Sequence, residues 1–210
     1  MYKAKQFDAI IFDLGGVIID IDYQLTINSF ESLGVKNFNK IFSKEQQLQF
    51  SDQYERGEIS TPEFIKNIQE LGKINASMFM MKKAWNAMLQ DIPRNRLELC
   101  ARLKEKMPTF VLSNTNQEHI KRVNDYLLAE YNVPSLNPFF KKVYLSHEIG
   151  KRKPESRAWQ QILDENNLTD PKKVLFIDDS PQHIEAAKKL KITCHHLNVK
   201  KEDIVDLIKL

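Results

Sequence analysis

The 210-residue chain reads as an α/β protein, a parallel sheet of about five strands with an all-helical segment inserted after the first strand. Three observations predict this. Apolar runs of buried-strand length recur at 9–13, 109–113, 142–146, 174–178 and 192–197. Helical patterns separate the later runs, as in a βαβ succession. Between Asp22 and Gln90 the spacing is helical throughout, with few strand signals.

Taken in order, the stretch from Asp8 to Asp20, DAIIFDLGGVIID, delivers one carboxylate, Asp13, at the end of an apolar run and before Gly15 and Gly16. The helical segment follows, with Phe30, Leu33, Phe64, Ile65, Ile68 and Leu71 at helical spacing. Ser60 and Glu63 stand at capping-box distance with Pro62 in the first turn, which predicts a helix start. A further helix is expected from about Asn75, with Met78, Met81, Trp85 and Met88 along one core-facing side. Pro93 marks a linker before the amphipathic LELCARLKEK. Helices are then predicted at Gln117 to Tyr131 and Pro154 to Asn166. The segment therefore joins the sheet at two crossings, near 19–22 and 90–95, a geometry suited to a lid.

Composition narrows the function classes. The charged fraction of 28% is mixed in sign and the formal net charge of +3 is too small to indicate nucleic acid. Cys100 and Cys194 have no metal-ligand spacing and are expected as buried, reduced thiols. The N-terminal apolar run is short and cut by Asp13, so neither a signal peptide nor a membrane span is predicted, and a cytoplasmic location is expected.

Ligands of parallel sheets bind beyond the carboxyl ends of the strands. Here those ends carry Asp13, then Ser113-Asn114-Thr115-Asn116, then Gly150-Lys151-Arg152-Lys153-Pro154, then Asp178-Asp179. Each has a task if the ligand is a phosphate. Asp13 can attack phosphorus to give an aspartyl phosphate. Asp178 and Asp179 offer hard oxygen ligands for magnesium, while Ser113 and Lys153 can hold phosphoryl oxygens. Singly, each has a plainer reading: Ser113 as a helix cap, Lys153 as a surface lysine, the acidic pair as a cap. Four such groups at successive strand ends are hard to assign to coincidence.

The pieces IIFDLGGV, VLSNTN, GKRKPE and VLFIDDSPQHIEAA, in this order, resemble the haloacid dehalogenase-like hydrolase superfamily. The resemblance implies a Rossmann-like core over 1–19 and 96–210, a helical C1 cap over 20–95, and phosphoric monoester hydrolysis with Mg2+. Within the superfamily the chain is most similar to the α-D-glucose-1-phosphate phosphatase type, through its FDLG start, LSNTN and the cap segment Tyr54 to Ser60. By this resemblance Asp13 is the nucleophile, Ser113 and Lys153 bind phosphate, and the backbones of Leu14 and Asn114 assist. Asp13, the Gly15 carbonyl, Asp178 and Asp179 hold the metal. Glu55, Arg56 and Trp85 are the specificity candidates, with Tyr23 and Phe50 as further residues that could face the ligand. The expected partner is a small phosphorylated metabolite, with no nucleic acid or membrane, and the chain is expected as a monomer or weak homodimer.

The sequence departs from the family pattern at Gly15, where most relatives carry a second Asp that serves as general acid and base. Such catalysis contributes about 10² to 10⁴-fold, so its loss favours good leaving groups, among them a sugar 1-phosphate. Glu55 or Glu58 is a candidate replacement donor. A second departure is His183 where Asn is expected; it either tunes the acidic pair or caps a helix start. Two other readings stay open: a metal-independent 2-haloacid dehalogenase, which shares the missing Asp but lacks the acidic pair, and a catalytically weak phosphate-binding protein. A receiver domain is excluded by motif order, since its acidic pair follows the first strand.

Overall fold

The computed structural model describes residues 1–36, 38 and 49–210, and the helical reading at 37 and 39–48 lies outside them. Two short strands, β1 (Tyr2–Lys3) and β7 (Ile208–Lys209), pair in parallel and tie the two ends of the chain together. Neither carries an apolar run long enough to stand out in the sequence.

The five apolar runs fold as β2 (Ala9–Phe12), β3 (Thr109–Ser113), β4 (Lys142–Leu145), β5 (Val174–Asp178) and β6 (Thr193–His196). They form one parallel sheet in the order β4-β3-β2-β5-β6. Strand β2 is central, with Ile10, Ile11 and Phe12 opposite Thr109, Phe110 and Val111 on one side and Leu175, Phe176 and Ile177 on the other. Because it is covered on both faces, every one of its residues is apolar and buried.

The strand alternation divides the core. Ile10 and Phe12 point into one apolar layer with Leu97, Leu103, Val123 and Leu127, from helices α5 (Arg94–Lys104) and α6 (Gln117–Tyr131). Ala9 and Ile11 point into the other, with Trp159, Ile162 and Ile184 from α8 (Ser156–Glu165) and α9 (Pro181–Lys189). At about 1.5–3 kcal/mol per fully buried large side chain, these layers dominate the stability of the sheet. A short α7 (Ser146–Ile149) follows β4, and α10 (Ile204–Leu207) precedes β7.

The inserted segment contributes α1 (Tyr23–Ser32), α2 (Gln49–Glu55), α3 (Thr61–Gly72) and α4 (Met78–Asn86). The predicted capping box is present on α3: Ser60 N–H donates to Glu63 Oε2 at 2.8 Å and the Ser60 side chain accepts from Glu63 N–H. A separate apolar cluster holds these helices together through Phe30, Tyr54, Phe64, Ile68, Met81 and Trp85, with Tyr54 and Phe64 stacked at 4.2 Å. Two sequence expectations are corrected. Met78 stands outside the core stripe, 41% exposed at the first turn of α4. Cys194 is only partly buried, since β6 is an edge strand.

The two crossings run side by side. Asp20 N–H bonds the Asp91 carbonyl and Gln90 N–H bonds the Asp20 carbonyl, each at 2.9 Å, and Ile21 bridges Leu89 in antiparallel fashion.

Candidate active site

Asp13 follows directly on β2, and its N–H bonds the Ile177 carbonyl at 2.9 Å, which sets it level with the end of β5. Ser113 and Asp178 are the last residues of β3 and β5. These ends meet at the middle of the sheet, where the chain is wound outward in both directions and a crevice opens. A cavity of about 320 Å³ lies there, lined among others by Asp13, Leu14, Gly15, Ser113, Asn114, Lys153 and Asp179. Lys151, the other lysine of the GKRKP run, turns away and donates to Gln161 at 3.0 Å.

Lys153 is the electrostatic centre. It is fully buried, and its Nζ donates to Asp13 Oδ1 and to Asp178 Oδ2, both at 2.7 Å. Asn114 holds its backbone, accepting from Lys153 N–H at 2.8 Å and donating from Nδ2 to the Lys153 carbonyl at 2.7 Å. Burial, together with the charges of Asp178 and Asp179 and against the pull of Lys153, raises Asp13 to about 7. Burial also opposes ionisation of Asp178, yet Lys153 and His183 hold it well below the usual carboxylate range. His183 Nδ1 lies 2.9 and 3.0 Å from the two oxygens of Asp178, so its ring sits against the acidic pair as well as near the start of α9.

Glycine at 16 has its own reason. Its φ is +80°, and a Cβ there would lie 2.8 Å from Asp179 Oδ2, so only glycine lets that carboxylate approach the turn. At 15 the space a Cβ would take is 3.2 Å from Ile21 Cγ1.

The inserted helices, the start of α6 and the loop after α7 close the outer wall. Tyr23, Ile21, Asp52, Glu55, Trp85, Asn116, His119 and Arg152 line it. Arg152 spans Asp52 Oδ1 at 2.5 Å and Glu55 Oε2 at 2.7 Å. Trp85 stacks on His119 with centroids 4.8 Å apart and donates Nε1–H to Asn116 Oδ1 at 3.3 Å. Of the specificity candidates, Glu55 and Trp85 reach the cavity, and Arg56 does not: it pairs with Asp52 and Glu155 and ties the helical segment to the sheet. Phe50 packs on Phe64, and Glu58 is exposed on the turn beyond α2, so neither lines the cavity. Sequence reasoning missed Arg152 and His119. Arg152 had a signal in its place beside Lys153, whereas His119 had none beyond its position in α6.

The donor set suits a hard divalent cation. Three carboxylates, Asp13, Asp178 and Asp179, face one ammonium, so net negative charge remains for a cation to balance. Asp13, Asp178 and His183 each present a ligand atom within 4.8 Å of the others.

The family model for haloacid dehalogenase-like hydrolases matches residues 7–191. The chain belongs to that family. Among curated proteins it is 28% identical over 181 residues to a D-ribitol-5-phosphate phosphatase of Bacteroides thetaiotaomicron, covering 86% of this chain and 87% of that one. Among solved structures it is similar to a haloacid dehalogenase-like enzyme of the same organism, crystallised as an Asp-to-Ala variant with magnesium and inorganic phosphate. The TM-score is 0.89 and the identity 32%, over 96% of this chain and 98% of that one. A predicted hydrolase of the same family from Porphyromonas gingivalis gives a TM-score of 0.81 and 25% identity over 90% of each chain. The haloacid dehalogenase-like core thus matches along nearly the whole chain, helical insertion included. Among the described residues no helix is long and apolar enough to cross a membrane.

Proposed function

We propose that this hydrolase is a Mg2+-dependent phosphatase of small phosphorylated metabolites, working through an aspartyl phosphate on Asp13. The observation that carries the reading is the convergence of Asp13, Ser113, Lys153 and Asp179 on one cavity, with Lys153 bonded to both Asp13 and Asp178. The solved relative holding magnesium and phosphate supports it.

Lys153 holds Oδ1 of Asp13, which leaves Oδ2 to attack phosphorus. Ser113 and the backbone after it, at Asn114, receive the phosphoryl oxygens, with Lys153 as fixed positive charge beside them. Leu14, whose backbone follows the nucleophile, lines the same space. Asp13, the Gly15 carbonyl, Asp179 and, at one remove, Asp178 would hold the metal. Magnesium supplies the charge that keeps Asp13 ionised and screens the phosphate from the carboxylates. Residues 20–95 act as a cap over the sheet domain of 1–19 and 96–210. We place the protein in the cytoplasm as a monomer or weak homodimer.

For the substrate, the likeness to the D-ribitol-5-phosphate phosphatase supports a polyol or sugar phosphate. The FDLG, LSNTN and Tyr54 to Ser60 segments support glucose 1-phosphate as the second choice. The test is phosphate release with magnesium from D-ribitol 5-phosphate, α- and β-glucose 1-phosphate and p-nitrophenyl phosphate, by the wild type and Asp13→Asn. Turnover that disappears in Asp13→Asn and in EDTA is expected. Chloride release from 2-chloropropionate that persists in EDTA, or phosphate binding without turnover, would overturn the reading.

A further inference from the structure

Asp178 is wholly buried at the end of β5, and its carboxylate meets three donors. Ser180 N–H bonds Oδ1 and Lys153 Nζ bonds Oδ2, each at 2.7 Å. The third is His183, whose Nδ1 lies 3.0 Å from Oδ1 and 2.9 Å from Oδ2 and so stands evenly across the group. A carboxylate only accepts, so Nδ1 carries the proton of this contact. The ring is placed by its helix, since Ile184 and Ala187 of α9 are buried in the apolar layer that holds Trp159 and Phe176. The backbone of the acidic pair is fixed as well. The Asp178 carbonyl accepts from Leu197 N–H at 2.9 Å, and the Asp179 carbonyl accepts from His196 Nε2 at 3.1 Å.

Lys153 makes the position of that carboxylate matter. An ammonium group has three N–H donors. Two of them go to Asp13 Oδ1 and Asp178 Oδ2, both at 2.7 Å, and with Cε in place those two directions fix the third. Lys153 lines the cavity, so the third donor is the one left for a phosphoryl oxygen. Its aim holds only while both carboxylates stay where they are.

From this chain of contacts we propose that His183 is a positioning residue: it holds the Asp178 carboxylate on Lys153 and thereby aims the remaining N–H of the lysine at the phosphate. The inference rests on the phosphatase reading of the cavity. No bond forms or breaks at the ring. The contact also sets the two acids apart. With donors on both of its oxygens Asp178 is turned to the lysine, whereas Asp179 stands against the Gly16 turn. Losing the His183 donor therefore weakens the hold on phosphate and leaves the hold on magnesium, which falls to Asp13, the Gly15 carbonyl and Asp179. A direct metal ligand at Nδ1 would do the reverse, because a ligating nitrogen faces the cation without its proton.

The test compares wild type, His183→Leu, His183→Asn and Asp13→Asn, with melting curves as a check on folding. Leucine removes the donor, whereas asparagine keeps one, since its amide nitrogen is bonded to Cγ as Nδ1 is in histidine. Mg2+ binding to the EDTA-treated protein is read by calorimetry, inorganic phosphate binding with Mg2+ present by the same method, and turnover on p-nitrophenyl phosphate. His183→Leu is expected to lose about ten- to a hundredfold in kcat/KM and to bind phosphate more weakly, with the Mg2+ affinity of the wild type. His183→Asn is expected to recover most of both losses. No loss in His183→Leu, equal losses in the two variants, or a fall in Mg2+ affinity that matches the fall in turnover would overturn the role, the last by making the ring part of the metal site. If His183→Leu does not fold, His183→Gln, whose amide is one bond further out and off Asp178, is read in its place. Turnover surviving in Asp13→Asn, or phosphate binding without turnover in the wild type, would instead overturn the phosphatase reading, and the inference with it.

Discussion

Asn114 clasps the backbone of Lys153 from both sides, its Oδ1 accepting from the N–H at 2.8 Å and its Nδ2 donating to the carbonyl at 2.7 Å. The residue after the last one of β3 therefore fixes the loop that carries the only lysine lining the cavity among the described residues. Asn114→Asp keeps the acceptor but sets a carboxylate against the Lys153 carbonyl, so it is expected to cost more than Asn114→Ala. We predict at least a tenfold loss of kcat for the Asp variant and a stability loss of about 1–3 kcal/mol from the unpaired carbonyl. Steady-state kinetics and urea unfolding check both.

Lys153 neutralises two buried carboxylates at once. Lys153→Met is predicted to abolish turnover and to destabilise the metal-free protein by about 3–5 kcal/mol, since it leaves buried charge without a partner. The Asp13→Asn change should recover part of that stability in the double variant, though none of the activity. Strictly additive melting losses would contradict the coupling.

His119 is buried against Trp85, and burial lowers it to about 4. Its neutral form belongs to the folded protein, while an unfolded histidine protonates near 6.5. Stability is therefore full above about pH 6.5 and falls by up to about 1.4 kcal/mol per pH unit between there and pH 4. The component of the pH slope due to this ring should be missing in His119→Phe, as read from unfolding midpoints across that range.

Arg56 and Glu155 join the helical segment to the sheet. The bond from Arg56 holds the Glu155 carboxyl at about 2, below the usual carboxylate range. A depressed carboxylate contributes above its unfolded value and loses that contribution as pH falls toward the folded one. Glu155→Gln is predicted to lower stability by about 0.5–1 kcal/mol at neutral pH. The difference from wild type should shrink between about pH 4.5 and pH 2. Because neither Arg56 nor Glu155 lines the cavity, KM should change through the position of the helices, which a salt titration of KM would reveal.

Strands β2, β3 and β5 and the order of the polar strand ends were legible because strands covered on both faces demand continuous apolar runs, and those runs stop where the polar residues begin. The capping box at Ser60 was legible for a similar reason, being a local pattern of side chain and backbone. The β1 and β7 pairing was not, since two-residue strands leave no periodicity. Arg56 illustrates the limit at the site. It was chosen for its segment, but which side of a turn faces a ligand depends on where Glu155, ninety-nine residues later, is brought by the fold.

By itself the sequence determined the α/β architecture and the inserted helices, and it placed Asp13, Ser113, Lys153, Asp178 and Asp179 at or after strand ends, because hydrophobic periodicity and strand-end position are properties of local order. Only the tertiary structure decided which cap residues border the cavity, that Asn114 grips Lys153, and that Gly16 is needed for the approach of Asp179. Those are contacts between segments far apart in the chain, set by how the helices and the sheet pack against one another.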